Sequence, residues 1–248
     1  MQRLPLTWFR RGLLRHADAV VTISQAIEAE LVDFGLSTVP FHRIPNAVDC
    51  SDFSPAEGAE RAALRSRLGL PENRVLCAFV GRLVPQKDPD LLVEAWLMDS
   101  LPNAHLILVG DGPLRSSLES RLAGDKGRVT FVGATADVVS YMRAADFLVL
   151  PSRAEGMSGV ILEAMACGLP VIATDVPGNR EVLGEDGRVG LLVPGGKPSG
   201  LAKAIGTLVA SQELRQKIGA SARTVALERF DIQRVATQYL SLYEELTG

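Results

Sequence analysis

No apolar run in this sequence approaches the ~20 residues needed to span a bilayer, which excludes a transmembrane helix. The opening MQRLPLTWFRRGLLRHADA also lacks the apolar core and small-residue cleavage site of a secretory signal. Its Trp8, Phe9, Arg10, Arg11 and Arg15 could rest on an anionic membrane surface; packing against protein is the simpler reading. A cytoplasmic chain is therefore expected, with peripheral contact at the inner face of the membrane as a variant. The three cysteines, Cys50, Cys77 and Cys167, form no CxxC pair, and their odd count suits a reducing compartment. The three histidines, His16, His42 and His105, lack metal-ligand spacing. A formal net charge of -3, with both signs interspersed, gives no reason to expect a nucleic-acid partner. There is no internal repeat, no low-complexity tract and no GxxxxGK[ST] phosphate loop.

Apolar residues are plentiful. They make up 47% of the 248 residues, which allows one substantial core or two small ones. From Val75 onward short apolar runs alternate with longer amphipathic stretches. The runs VLCAFVG (75–81), AHLILVG (104–110), RVTFVG (128–133), DFLVL (146–150), PVIAT (170–174) and GLLV (190–193) suit strands covered on both faces. Between them, DPDLLVEAWLM (88–98), PLRSSLESRLA (113–123), ADVVSYMRA (136–144), GVILEAMA (159–166) and NREVL (179–183) read as helices. The alternation implies βαβ crossovers, and hence an α/β fold with a doubly wound parallel sheet.

The ends differ from this pattern. Residues 1–45 hold one strand-like run, AVVTIS (19–24), one helix, QAIEAELVDFG (25–35), and a short HRIPN segment, too little for a domain. NAVDCSDFSPAEG (46–58) carries turn formers and reads as a linker. AERAALRSRLG (59–69) is helical, and the tail from Pro198 is nearly all helix, ending in DIQRVATQYLSLYEEL (231–246). The expected division is 1–45, the linker 46–58, a large domain 59–230 and a terminal helical segment 231–248.

The densest chemical signal is SRAEGMSGVILEAMACGLPVIATDVPGNREV, residues 152–182. It starts just past the carboxyl end of the strand 146–150, where open α/β sheets bind ligands. Glu155 and Gly156 occupy the loop, and a helix should start near Ser158. The free amides of its first turn, from Met157 to Val160, would face an anion favoured by the helix dipole. Gly156 and Gly159 lack a Cβ, so a phosphate or sugar could approach the backbone. Glu163 falls one turn further, on the same face as Gly159, where its carboxylate could accept two hydrogen bonds from a ribose diol. Glu155 could reach a second polyol, such as a sugar beyond a diphosphate. The bland alternative is a carboxylate at a helix start and a second, solvated one.

The Glu155–Glu163 spacing, set in EGMSGVILEAMACGLPVIAT, resembles the Glu-x7-Glu motif of retaining GT-B glycosyltransferases. Within these the chain looks closest to the family 4-like, group 1 transferases, which include bacterial exopolysaccharide and lipopolysaccharide sugar transferases. RIPNAVDCSDFSP (43–55) is similar to that family's interdomain segment, VGRLVPQKD (80–88) to its phosphate-binding loop, and LILVGDGPLRSSLE (106–119) to its next strand–turn–helix. The match runs from about residue 15 to the C-terminus.

The resemblance implies that Arg82 and Lys87 neutralise the donor diphosphate and that Glu155 contacts the sugar, these three forming the catalytic set. Gly81, Gly156, Met157, Ser158, Gly159 and Val160 would line the donor, Glu163 would hold the ribose, and Phe131, Val132 and Gly133 would flank the base. A UDP-sugar is the expected substrate, with GDP- or ADP-sugars as alternatives; no metal and no separate cofactor is implied. The implied acceptor is a glycan or lipid-linked sugar in polysaccharide biosynthesis. One departure is Ala47, where the family usually has Gly, which puts the local turn geometry in doubt.

Three look-alikes read differently. Gly110-Asp111-Gly112-Pro113 would need Gly at 115 to make a dinucleotide fingerprint, and Arg115 stands there, so the stretch reads as a helix start with Pro113 at its first position. Asp88-Pro89-Asp90 mimics a metal-binding DxD but opens a helix, where acids suit the dipole. A hydrolase using Glu155 and Glu163 would need both carboxyls facing across a glycosidic bond, ~5–9.5 Å apart.

GT-B enzymes place the active site between two doubly wound domains. On this resemblance residues 1–45 end the acceptor-binding domain, and the helix 231–246 crosses back onto it. The chain is then a fragment of a longer enzyme, one half of a split enzyme, or a non-catalytic nucleotide-sugar binder. An apolar patch where the first domain would dock predicts a partner chain or a homodimer.

Overall fold

The computed structural model describes residues 16–98, 101–125 and 127–248; the segment Trp8–Arg15, considered above as a membrane-surface element, lies outside them. Two parallel sheets organise the chain. The smaller is a βαβ unit made of β1 (Val20–Thr22), α1 (Gln25–Leu31) and β2 (Phe41–Arg43), with β1 and β2 paired from Val20↔Phe41 to Thr22↔Arg43. The sequence predicts one strand here, and β2 is the second. Its three residues, Phe-His-Arg, are too short and too polar to register as an apolar run. The expected helix 25–35 keeps its regular part to Leu31 and then widens over Val32–Leu36, where Gly35 turns left-handed at φ 82.

The larger sheet has six parallel strands: β3 (Val75–Val80), β4 (Ala104–Val109), β5 (Val129–Gly133), β6 (Phe147–Leu150), β7 (Val171–Thr174) and β8 (Gly190–Val193). Their order is β5-β4-β3-β6-β7-β8. Side chains of β3 alternate between two cores. Leu76, Ala78 and Val80 join one cluster with α5 (Val138–Ala144), α6 (Gly159–Ala166) and α7 (Pro177–Leu183). Cys77 and Phe79 join the other, with α3 (Pro89–Met98), α4 (Arg115–Arg121) and α8 (Pro198–Ala210). Both faces are covered, as the apolar runs require. Helix α4 starts at Arg115, two residues after Pro113, so that proline precedes the helix instead of opening it.

The sheet order reverses between β3 and β6, which therefore run side by side while their crossovers lead toward opposite edges of the sheet. At their amino ends the pair is clamped by one carboxylate. Asp146 accepts from Arg61 (2.6 Å), from Arg65 (2.8 Å) and from the Leu76 amide (2.6 Å). Arg65, on α2 (Gly58–Arg67), also donates to the carbonyls of Ala144, Glu72 and Arg74. The clamp ties β3, β6 and α2 together from below.

The linker is pinned to the chain's second crossing between the sheets. The Val48 amide donates to Phe230 O (2.9 Å) and the Ile232 amide to Val48 O (3.0 Å). Arg223, on α9 (Gln212–Val225), donates to the carbonyls of Cys50, Phe53 and Ala166. Ala47 needs no left-handed backbone: among the described residues Asp88 is the only non-glycine at positive φ. Helix α10 (Ile232–Thr247) packs Val235 and Leu242 against Ile44 of the smaller unit and leaves Leu240, Tyr243 and Leu246 exposed. No helix among the described residues is long and apolar enough to cross a membrane.

The Asp146 clamp carries a stability prediction. Asp146→Ala leaves Arg65, whose side chain is 9% exposed, buried without its counter-charge, which costs about 3–5 kcal/mol. Urea unfolding of the variant should show a loss in that range; a loss below about 1 kcal/mol would contradict the clamp.

Candidate functional site

The carboxyl ends of β3, β4 and β5 each end in glycine, and the three backbones touch. The Gly81 amide donates to Val109 O (3.0 Å) and the Gly110 amide to Gly133 O (2.8 Å). A Cβ on Gly110 would run into the Gly81 carbonyl, and Gly110 sits at φ 132, so only glycine fits this row. Gly133 is buried and Val132 half-buried beside it. In the sequence Gly110 reads only as a turn residue, and its contact with Gly81 across the sheet has no local signal. The Arg115 guanidinium, held by Asp111 and Glu119, flanks Gly133.

At the switch point the loop after β3 is stitched to the loop after β6. Lys87 Nζ donates to Glu155 Oε1 at 2.6 Å, with the two side chains 18% and 8% exposed. Arg153 grips Asp88 with two hydrogen bonds (2.8 and 3.1 Å), and its amide donates to Gln86 O (2.8 Å). Gln86 Nε2 donates to Ala154 O (3.3 Å). Asp88 takes φ 48, a conformation carboxylate side chains tolerate better than most. The backbone reversal it makes lets Lys87 point at Glu155 while Pro89 starts α3. The DxD look-alike is thus consumed in ion pairs, Asp88 with Arg153 and Asp90 with Arg121 (2.7 Å). Among the described residues no group of three His, Cys, Asp or Glu side chains is placed to hold a metal ion.

Helix α6 opens onto the same crevice. Its N-cap, Ser158, is buried and makes no side-chain capping bond, so the Gly159 and Val160 amides keep their donors, while the Ile161 amide donates to Ser158 O (3.1 Å). Met157 is buried as well, while the Cβ direction of Gly159 is open, with nothing within 4 Å. Val160 is half-buried beside it. A Cβ on Gly156 would lie 2.9 Å from Ile27 Cδ1 of α1, so its smallness also admits a side chain from the smaller unit. Gly178, in α7, rests on the carbonyls of Glu155 and Gly156, where a Cβ would collide with both. Asn46 reaches from the linker to donate to Met157 O (3.1 Å).

The structure therefore brings Lys87, Glu155 and the α6 start into one crevice with the glycine row. Arg82 stands at its rim, exposed and in no ion pair among the described residues. Glu163 is half-buried on α6, and no described side chain or amide donates to its carboxylate. Asn46, Arg153 and Gly178 were missed by sequence reasoning, because their contacts span 65 to 111 residues or involve only backbone atoms. A cavity of about 470 Å³ lies elsewhere, between β2 and α10, and none of these residues lines it.

Burial pushes the Glu163 carboxyl above its ordinary pKa of 4.5. A raised folded-state pKa favours the fold while the group is protonated, and that advantage is lost as pH rises through the raised value. At pH 7 the ionised carboxylate therefore penalises the fold. Glu163→Gln should melt at a higher temperature than the parent at pH 7, with the gap closing below the ordinary carboxylate range. A variant no more stable at pH 7 would show that Glu163 is not penalised.

Known proteins share this fold. The family model Glycosyl transferases group 1 matches residues 74–211, and Glycosyltransferase Family 4 matches residues 1–52. The D-inositol 3-phosphate glycosyltransferase of Xylanimonas cellulosilytica is 33% identical over 244 residues, covering 93% of this chain and 58% of that protein. Anabaena Alr3699/HepE in complex with UDP superposes with a TM-score of 0.85 at 30% identity, covering 94% of this chain and 64% of that one. Sucrose-phosphate synthase from Thermosynechococcus elongatus gives 0.84 at 31% identity, covering 95% and 60%. The chain spans about half the length of the curated relatives it matches. Its α/β architecture is that of GT-B enzymes, and the chain belongs to the group 1 glycosyl transferases.

Proposed function

We propose that this chain is the donor-binding half of a retaining glycosyltransferase that takes its sugar from a UDP-sugar without a metal ion. One observation carries the reading. At the switch point an uncapped helix start lies beside Lys87 and Glu155, and a half-buried Glu163 without a donor lies one turn along the same helix. The glycine row Gly81–Gly110–Gly133, with Phe131 and Val132, supplies a smooth wall for the base. Glu163 accepts the ribose diol, which supplies the hydrogen bonds its burial demands. The amides from Met157 to Val160, with Arg82 and Lys87, receive the diphosphate. Lys87 has three N–H donors and spends one on Glu155, so it can serve both. Glu155, oriented by Lys87, accepts from the sugar hydroxyls.

In the proposed reaction the bond from the anomeric carbon to the diphosphate oxygen breaks, and its electron pair leaves with the nucleotide. The acceptor hydroxyl attacks from the same face and gives its proton to the departing phosphate oxygen. Arg82, Lys87 and the α6 amides stabilise the charge that develops there. HepE has been solved with UDP and with UDP-glucose, which favours UDP over GDP or ADP for this chain. The acceptor we assign is a glycan or lipid-linked sugar of polysaccharide assembly. The Lys87 contact on Glu155 suits polyol binding better than an acid–base pair facing across a glycoside.

Calorimetric titration with UDP and UDP-glucose in excess chelator tests the site. Binding should survive the chelator, and Arg82→Ala, Lys87→Ala and Glu163→Ala should each weaken UDP by about tenfold or more. Labelled UDP-glucose then separates slow turnover from binding alone. Failure to bind any nucleoside diphosphate would overturn the reading.

A further inference from the structure

Glu181 lies on α7 (Pro177–Leu183). Both its carboxylate oxygens accept the Gln25 amide, at 2.8 and 3.1 Å, across 156 residues of sequence. Gln25 is the first residue of α1, whose start is also capped internally by Ser24 Oγ, which accepts from the Ile27 amide (3.3 Å). A carboxylate from the larger sheet thus serves the positive end of a helix in the smaller one.

The two helices joined by this bond enclose the loop that carries Glu155. On one side, α1 sets Ile27, with Ile23 just before it, against Gly156. On the other, α7 lays Gly178 on the carbonyls of Glu155 and Gly156. The loop is gripped between these walls, and the Glu181–Gln25 bond is a polar tie between them. We propose that Glu181 is a positioning residue for the donor sugar: by holding α1 to α7 it fixes the loop between them, and with it the Glu155 carboxylate. This rests on the reading of Glu155 as the sugar contact. The base and ribose, on the glycine row and Glu163, do not meet the held loop, and the diphosphate meets it only at the Met157 amide and through Lys87.

The test uses the whole chain with UDP and UDP-glucose as probes. Glu181→Ala removes the acceptor. Gln25→Pro removes the donor without touching α7, because proline is favoured at a first helical position and Ser24 is already extended (φ -156, ψ 157). In both variants UDP affinity should stay within about twofold of the parent, while UDP-glucose affinity falls about fivefold. Glu181→Gln, which keeps one acceptor oxygen, should recover part of the loss. Amide exchange around Gln25–Ala29 and at residues 154–157 should quicken in Glu181→Ala and Gln25→Pro. Equal losses for UDP and UDP-glucose, or no loss in either variant, overturn the proposal while leaving the donor site standing. A parent chain that binds neither probe overturns the donor reading and this role together.

Discussion

Two loops leave the carboxyl ends of neighbouring strands and wind away in opposite directions, so the crevice between them holds its shape only through what the loops exchange. Here they exchange Lys87 with Glu155, Arg153 with Asp88, and two bonds through Gln86. Each joins a residue at the end of β3 to one at the end of β6. The left-handed backbone at Asp88 is tolerable because its carboxylate is buried against Arg153 on the opposite loop. Below the sheet, Asp146 binds the same two strands at their other ends. A parallel sheet fixes where strands lie; these side chains fix where the loops lie.

The smaller unit is part of this arrangement. Ile27 fills the space that Gly156 leaves, Asn46 holds the Met157 carbonyl, and Glu181 holds the start of α1. The linker is in turn pinned through Val48 and Arg223. The loop carrying Glu155 therefore has contacts from both sheets. The glycine row and Glu163 belong to the larger sheet alone. On the proposed reading the base and ribose meet the larger sheet alone, while the sugar meets a loop that both sheets hold.

Much of this was legible in the sequence wherever the signal is local. The apolar runs found all six strands of the larger sheet, and GVILEAMA marks α6 from Gly159 to Ala166 as built. The crevice followed from the order of strands and helices, and the small residues after Gly156 marked the helix start that lies between Glu155 and Glu163. Less was legible where the cause is distant. Gly156 carries no sign that its small size serves Ile27, 129 residues earlier in the chain. Gly178 and Gly110 are indistinguishable from turn residues until the carbonyls they rest on are seen. Phe41–Arg43 forms a strand through its pairing with β1, not through any apolar alternation of its own.

Amide exchange on the whole chain, with and without UDP, tests the central claim most directly. The account predicts slowed exchange in three segments: 81–88, 131–135 and 156–163. The groove between β2 and α10 should exchange unchanged. Protection centred on that groove, or no change at the start of α6, would contradict a donor site at the switch point.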